Sequence, residues 1–169
     1  MGDGPPRGPD ASGRFLVWLT TNRASTWWFR RVASRIDPLL FRATNGRLTS
    51  FGPPAMPMVT LTTKGRRSGR PHAVHLACVE HDGARYVVAS AMGQARHPAW
   101  LHNLVAHPEV EVQAQGERFR ARAEVLPDAE KEALWPVVKR AIPQLEAYEA
   151  RTGRNIRLVR LVRTKEGER

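Results

Sequence analysis

Arg66, Arg67 and Ser68 stand between two glycines in the stretch Lys64-Gly65-Arg66-Arg67-Ser68-Gly69. Paired guanidinium groups, a hydroxyl and backbone N–H groups left accessible by glycine suit an anion such as a phosphate or a carboxylate. Before them runs Met58-Val59-Thr60-Leu61-Thr62-Thr63, apolar and β-branched, and a second strand-like run follows from His72. The unit is therefore strand, basic glycine loop, strand. A loop of this kind is as readily a solvated hairpin turn as a ligand site, so its role depends on what the chain sets beside it.

Other chemistry-bearing residues point less clearly to a site. Among the six histidines, His72 and His75 fall on opposite faces of one strand, while His97, His102 and His107 are scattered around a helix. No cysteine or carboxylate joins them at ligand spacing, so no metal centre is expected. There is no serine in a Gly-x-Ser-x-Gly elbow and no dinucleotide or P-loop glycine fingerprint. The segment Val87 to Asn103 says more. Val87-Val88-Ala89 ends in the small-residue turn Ser90-Ala91-Met92-Gly93, and Pro98-Ala99-Trp100 opens a helix that reaches Asn103 one turn on. Small residues let a planar ring approach the backbone, a helix N-terminus offers N–H groups to anionic oxygens, and Trp100 can wall an apolar pocket. A plain strand–loop–helix connection with a core tryptophan is the competing interpretation.

The elements that must position these residues follow from periodicity. Residues 1–14 are a polar, glycine- and proline-rich tail with little to bury. Residues 15–52 form a helical extension in which Trp28, Phe29, Val32 and Ile36 make an apolar stripe opposite Arg30, Arg31, Ser34 and Arg35. A basic, tryptophan-rich amphipathic helix has the composition of one lying at a membrane surface, although the stripe serves equally to pack on the domain's own core. Asp37-Pro38 and Asn45-Gly46 end its segments. From residue 53 onward the pattern is mainly β. His72, Val74, Leu76 and Cys78 alternate with Ala73, His75, Ala77 and Val79, and Asp82-Gly83 predicts a hairpin into a return strand over Arg85–Ser90. Pro98 opens a helix carrying Trp100, Leu101, Leu104 and Val105. Val110, Val112 and Ala114, then Phe119, Ala121, Ala123 and Val125, alternate with polar residues across a turn at Gln115-Gly116. Asp128 is expected to cap a helix whose apolar residues are Ala133, Leu134, Val137, Val138 and Ala141, with Pro136 early enough to be tolerated. Pro143 separates it from a shorter helix with Leu145 and Tyr148, and Ile156–Arg163 closes the chain as a strand. Six mostly antiparallel strands with peripheral helices predict an α+β fold built on a small β-barrel spanning residues 53–169.

Composition sets the outer bounds. A chain of 169 residues with 41% hydrophobic and 25% charged content suits one globular domain. Cys78 is the only cysteine, which excludes an internal disulfide framework and makes a cytoplasmic setting the default. No apolar run approaches a membrane span. The formal net charge is +11, and residues 1–72 carry 12 Lys and Arg against three Asp. The basicity thus belongs to the N-terminal part and the loop, and implies an anionic membrane surface, a polyanionic ligand or nucleic acid. No recognition helix or base-stacking platform supports nucleic acid.

Three stretches, in this order and spacing, resemble the deazaflavin-dependent nitroreductase family: Leu61 to Gly69, Ala89 to Gly93, and His97-Pro98-Ala99-Trp100-Leu101-His102-Asn103-Leu104 leading to Pro108. The resemblance covers roughly Ile36 to Arg163. It implies a split β-barrel of the FMN-binding type and an oxidoreductase that uses coenzyme F-420. Carried over, Arg66, Arg67 and Ser68 would hold the coenzyme's phosphate and acidic tail. His72, Ala73, Val74, His75 and Leu76 would line the groove, with Val88, Ala89, Ser90 and Ala91 on the second segment. Ala99, Trp100, Leu101, His102 and Asn103 would complete it from the helix. Trp100, Ile142, Leu145 and Tyr148 would form an apolar acceptor pocket for a quinone, enone or nitro compound, with Tyr148 or Ser90 supplying the proton. His72 replaces an arginine usual in the family, which implies a weaker or pH-dependent grip on the anion. The rival expectations are FMN as the cofactor, or a carrier that binds a deazaflavin or fatty acid without turnover. The protein is expected to be cytoplasmic, with peripheral membrane contact through the N-terminal helix as a further expectation. The sequence fixes no oligomeric state.

Overall fold

The alternating stretches become six strands, all paired antiparallel. They are β1 (Met58–Lys64), β2 (Pro71–His81), β3 (Ala84–Val88), β4 (Glu109–Ala114), β5 (Glu117–Val125) and β6 (Leu158–Arg163). This computed structural model describes residues 57–164 together with Ile36 and Ala43, both helical. The expected tail and the rest of the N-terminal helical extension lie outside the described residues. The strands close into a barrel in the order β1-β2-β3-β6-β5-β4, with β4 returning to β1. This is the α+β split barrel that the alternation and the resemblance both implied. Two hairpins turn where expected: Asp82 and Gly83 have φ of 48° and 72°, and Gln115 and Gly116 have 49° and 82°. Successive positive φ values match the right-handed twist of the flanking strands.

The barrel wall separates two apolar clusters. Val59, Leu61, Cys78, Val87, Val112, Ala121, Val159 and Leu161 fill the interior, and helix α1 (Ala99–Ala106) contributes Trp100, Leu101 and Leu104 to the same cluster. On the other side, Val79, Tyr86, Val88 and Leu158 are covered by helices α2 (Asp128–Ala141) and α3 (Gln144–Thr152). The period of two in β2 assigns residues to each side as expected, with Cys78 inside and Val79 outside.

Helix α2 departs from its sequence expectation in three respects. Its buried residues are Lys131, Trp135 and Val138, with Ile142 following, whereas Ala133 and Ala141 are exposed. Tryptophan offers far more area to bury than alanine, so the face it occupies turns inward. Asp128 does not cap the helix through its side chain; Pro127 is the N-cap, and the Asp128 carboxylate accepts from Asn155 Nδ2 at 2.9 Å and Arg157 Nη1 at 2.6 Å. Pro136 is not early in the helix. It sits in the second half on the exposed side, where its ring does not disturb the packed face.

Candidate functional site

The basic loop is built by its own backbone. Lys64 pairs with Pro71 at the end of the β1–β2 ladder. Gly65 N then donates to Arg70 O and Gly69 N to Gly65 O, both at 2.8 Å, and Gly69 takes a φ of 66°. Ser68 Oγ accepts from Arg70 N and lies 3.3 Å from His72 Nε2. Gly65 is required for close approach, because a Cβ there would stand 2.5 Å from Ser68 Oγ and 2.9 Å from the His72 ring. Arg66, Arg67 and Ser68 remain exposed on the rim.

Helix α1 locks this loop from the side. Trp100, Asn103 and Leu104 share its buried face through i, i+3 and i+4 spacing. Asn103 Oδ1 accepts the Arg66 N–H at 3.1 Å, and its Nδ2 donates to Thr63 Oγ1 at 3.2 Å. Both halves of the amide are used, and Asn103 is buried. The Arg66 N–H is therefore committed within the protein. The Arg66 and Arg67 guanidinium groups are the charged donors that the loop offers to an anion.

Between loop, β2 and α1 lies a cleft of about 400 Å³. Arg66, Arg67, Ser68 and His72 line one part of it, and Ala73, Val74, Ala99 and Trp100 another, with Gly65 and Asn103 between them. No carboxylate lines it among the described residues. A cationic rim running into small and aromatic apolar walls suits an anionic chain attached to a flat ring. Cys78 is not a nucleophile: burial, then the neighbouring Glu80 charge, pushes its thiol up to about 11. Among the described residues no group of three His, Cys, Asp or Glu is placed to hold a metal ion.

The structure brings together only part of the expected set. His75, Leu76, Val88, Ala89, Ser90, Ala91, Leu101 and His102 do not line this cleft. His75 Nδ1 lies 3.3 Å from Thr60 Oγ1, Leu101 and Ala89 belong to the barrel interior, and His102 meets His97 edge-on with ring centroids 6.2 Å apart. Ile142, Leu145 and Tyr148 are packed in the outer cluster under α2 and α3, separate from Trp100 in the inner one. Leu145 has no exposed surface at all. The N-terminal helix, which was expected to complete the acceptor pocket with these four residues, lies outside the described residues.

Two roles carried no sequence signal. Asn103 was expected only as a wall of the groove; its role as the acceptor for Arg66 depends on a helix docking 37 residues away along the chain. Arg154 follows α3 in an unremarkable Thr-Gly-Arg stretch, yet its guanidinium reaches Ala89 O, Ser90 O and Gln94 O.

Residues 33–163 match the family model described as F420H(2)-dependent quinone reductase. An F420H(2)-dependent quinone reductase of Mycobacterium tuberculosis is 34% identical over 145 residues, spanning 82% of this chain and 97% of that protein. The solved structure of an F420-H2 dependent reductase, FDR-A, superposes with a TM-score of 0.57 at 34% identity, over 62% of this chain and 93% of the other. A second structure, described as a domain-swapped dimer, gives a TM-score of 0.58 at 30% identity over 80% and 98% of the two chains.

Proposed function

The chain belongs to the F420H(2)-dependent quinone reductase family, and from that premise we propose how its cleft serves F420H(2)-dependent reduction. The observation that carries the proposal is the single cleft in which Arg66, Arg67 and Ser68 stand at one part and Ala73, Val74, Ala99 and Trp100 at another. The donor set fits the coenzyme: guanidinium groups for phosphate and carboxylate oxygens, small residues and an indole for a flat ring.

When bound, the coenzyme supplies a hydride to a quinone-type acceptor. The protein's part is to bind and orient. Arg66 and Arg67 hold the anionic end, and Ser68 contributes its hydroxyl. Ala73 and Ala99 leave room for the ring, Trp100 walls it, and Asn103 keeps the loop at a fixed distance from α1. The mouth is open beside the exposed Arg66 and Arg67, so water supplies the proton that accompanies the hydride. Tyr148 and Ser90 stand apart from this cleft and are not assigned that role.

Titration of the fluorescent coenzyme F-420 with wild type and with Arg66→Ala/Arg67→Ala tests the assignment. The double variant is expected to bind at least about tenfold more weakly, from the loss of charge-assisted hydrogen bonds worth ~1.5–3 kcal/mol each. Unchanged affinity would remove the loop from the site. Oxidation of reduced coenzyme by a menaquinone analogue, above the rate without enzyme, is the expected turnover. A purified protein that is yellow with tightly held FMN and indifferent to the deazaflavin would replace this coenzyme assignment.

A further inference from the structure

We propose that Arg154 is a positioning residue that holds the segment from Ala89 to His97, and through it the N-terminus of α1, in place beside the coenzyme cleft. The inference rests on that cleft being the coenzyme site. Arg154 Nε donates to Gln94 O at 2.8 Å, and Nη2 donates to Ala89 O at 3.0 Å and Ser90 O at 2.6 Å. Nη1 faces His97 Nδ1 at 3.1 Å. One planar side chain therefore joins the end of β3, both flanks of the following turn, and the residue just before Pro98, the N-cap of α1.

The turn needs such a clamp. Ala91, Met92 and Gly93 take φ values of 48°, 54° and 72°, so two residues with side chains sit in the left-handed region at a cost of about 1–2 kcal/mol each. Strained backbone persists only where its surroundings over-determine it. Here Arg151 Nη1 donates to Met92 O and Thr152 Oγ1 to Gln94 O, and Gly93 lies so close to α3 that a Cβ would be 3.0 Å from Tyr148 Cα and O. All of these partners come from α3 or just beyond it. The path from Arg154 to the cleft is continuous: His97 and Pro98 lead into α1, whose Ala99, Trp100 and Asn103 line the cleft, and Asn103 holds the Arg66 N–H. Arg154 itself does not line the cleft, so it acts only through these residues.

The bond to His97 also makes the clamp sensitive to protons. A guanidinium offers only donors, so His97 Nδ1 must accept and must be unprotonated. Burial, followed by the charges of Arg154, His102 and Arg157, holds the His97 imidazolium form below the usual histidine range. Among the described residues, Arg154, His102 and Arg157, and no carboxylate, are the charged and titratable groups that act on His97. On acidification the imidazolium would present a donor to a donor, and that arm of the clamp would be lost.

The test is coenzyme F-420 titration of the full chain as wild type, Arg154→Ala, Arg154→Lys and His97→Gln at pH 8 and pH 5.5, beside Arg66→Ala/Arg67→Ala. Arg154→Ala is expected to weaken binding about tenfold, and tens of millimolar methylguanidinium to restore most of it. Arg154→Lys is expected not to rescue, because an ammonium lacks the fork that reaches separated carbonyls. His97→Gln keeps a neutral acceptor, so its affinity relative to wild type is expected to rise on going from pH 8 to pH 5.5. Wild-type affinity in both Arg154 variants would overturn the proposal, as would a loss in Arg154→Ala that methylguanidinium does not restore and that tracks a fall in melting temperature. Should Arg154→Ala fail to fold, Arg154→Lys with wild-type affinity overturns it. Loss of affinity in the Arg66/Arg67 double variant alongside intact Arg154 variants refutes this proposal alone; wild-type affinity in the double variant removes the coenzyme site and this inference with it.

Discussion

Asn103 is the residue on which the loop's geometry turns. Truncation by Asn103→Ala leaves the Arg66 N–H without its acceptor, while the Thr63 hydroxyl loses one donor but still donates to His72 O; a buried group so stranded costs about 1–3 kcal/mol. Urea unfolding is expected to show a loss in that range, with weaker coenzyme binding beside it. Asn103→Asp separates the two effects. It keeps an acceptor for Arg66 but places a carboxylate beside the arginines, so coenzyme affinity should fall further than stability does. Gly65→Ala is expected to act on the loop alone, because its Cβ collides with Ser68 and His72 side chains rather than with the barrel. Coenzyme affinity should drop while the melting temperature moves little. At this scale the sequence revealed the types, Arg66, Arg67, Ser68 and Trp100, since chemistry at a short spacing is local. It did not reveal that Asn103 is spent on the loop or that Arg154 clamps a distant turn, because those pairings exist only after α1 and α3 dock.

Elements show where local rules were overridden. Alternation placed β2, β4 and β5, since a side-chain period of two fixes which residues face the interior, and β-branched runs and turn signals placed the others. Helix α2 was harder. Its alanines fitted the expected stripe, but Trp135 took the buried side and donates from Nε1 to Glu149 Oε1 at 2.8 Å. Pro136 lies exposed within that helix and leaves one carbonyl a turn earlier without its donor. Pro136→Ala is therefore expected to stabilise the protein by about 1 kcal/mol, read as a higher melting temperature, with coenzyme binding unchanged. At the start of α2, hydrogen bonding from Asn155, and then the charge of Arg157, holds the Asp128 carboxyl below its ordinary range. A carboxylate whose acidity is raised by folding contributes stability above its unfolded-state pKa, and that contribution disappears as pH falls through the folded-state value. Melting temperatures followed from about pH 6 to pH 3 should decline less steeply in Asp128→Asn than in wild type. Gly93→Ala, with its Cβ set against the α3 backbone and its φ at 72°, is expected to cost at least about 1–3 kcal/mol.

The whole molecule is a closed wall with work divided between its sides. The inner cluster fills the barrel, with the cleft opening beside α1; outside, α2 and α3 form a separate apolar layer. Cys78 is sealed within the first, and its thiol, raised to about 11, should resist a thiol reagent at pH 8 until denaturant opens the barrel. The architecture was legible in the order of strands and turns, whereas the division of Ile142, Leu145 and Tyr148 from Trp100 was not. Apolar residues look alike in a sequence, and only topology decides on which side of a sheet they are buried. No helix among the described residues is long and apolar enough to cross a membrane. Closure of the barrel has a further consequence, for traffic between molecules. Each of the six strands has a bonded neighbour on both sides, so a passing extended peptide finds few free amides to zip onto along most of the ring. The exception among the described strands is the first half of β2, which is laddered to β1 over Pro71–Ala77 but meets β3 only from Cys78 onward. Any exchange of a described strand with a second copy must first break the ladders on both of its sides.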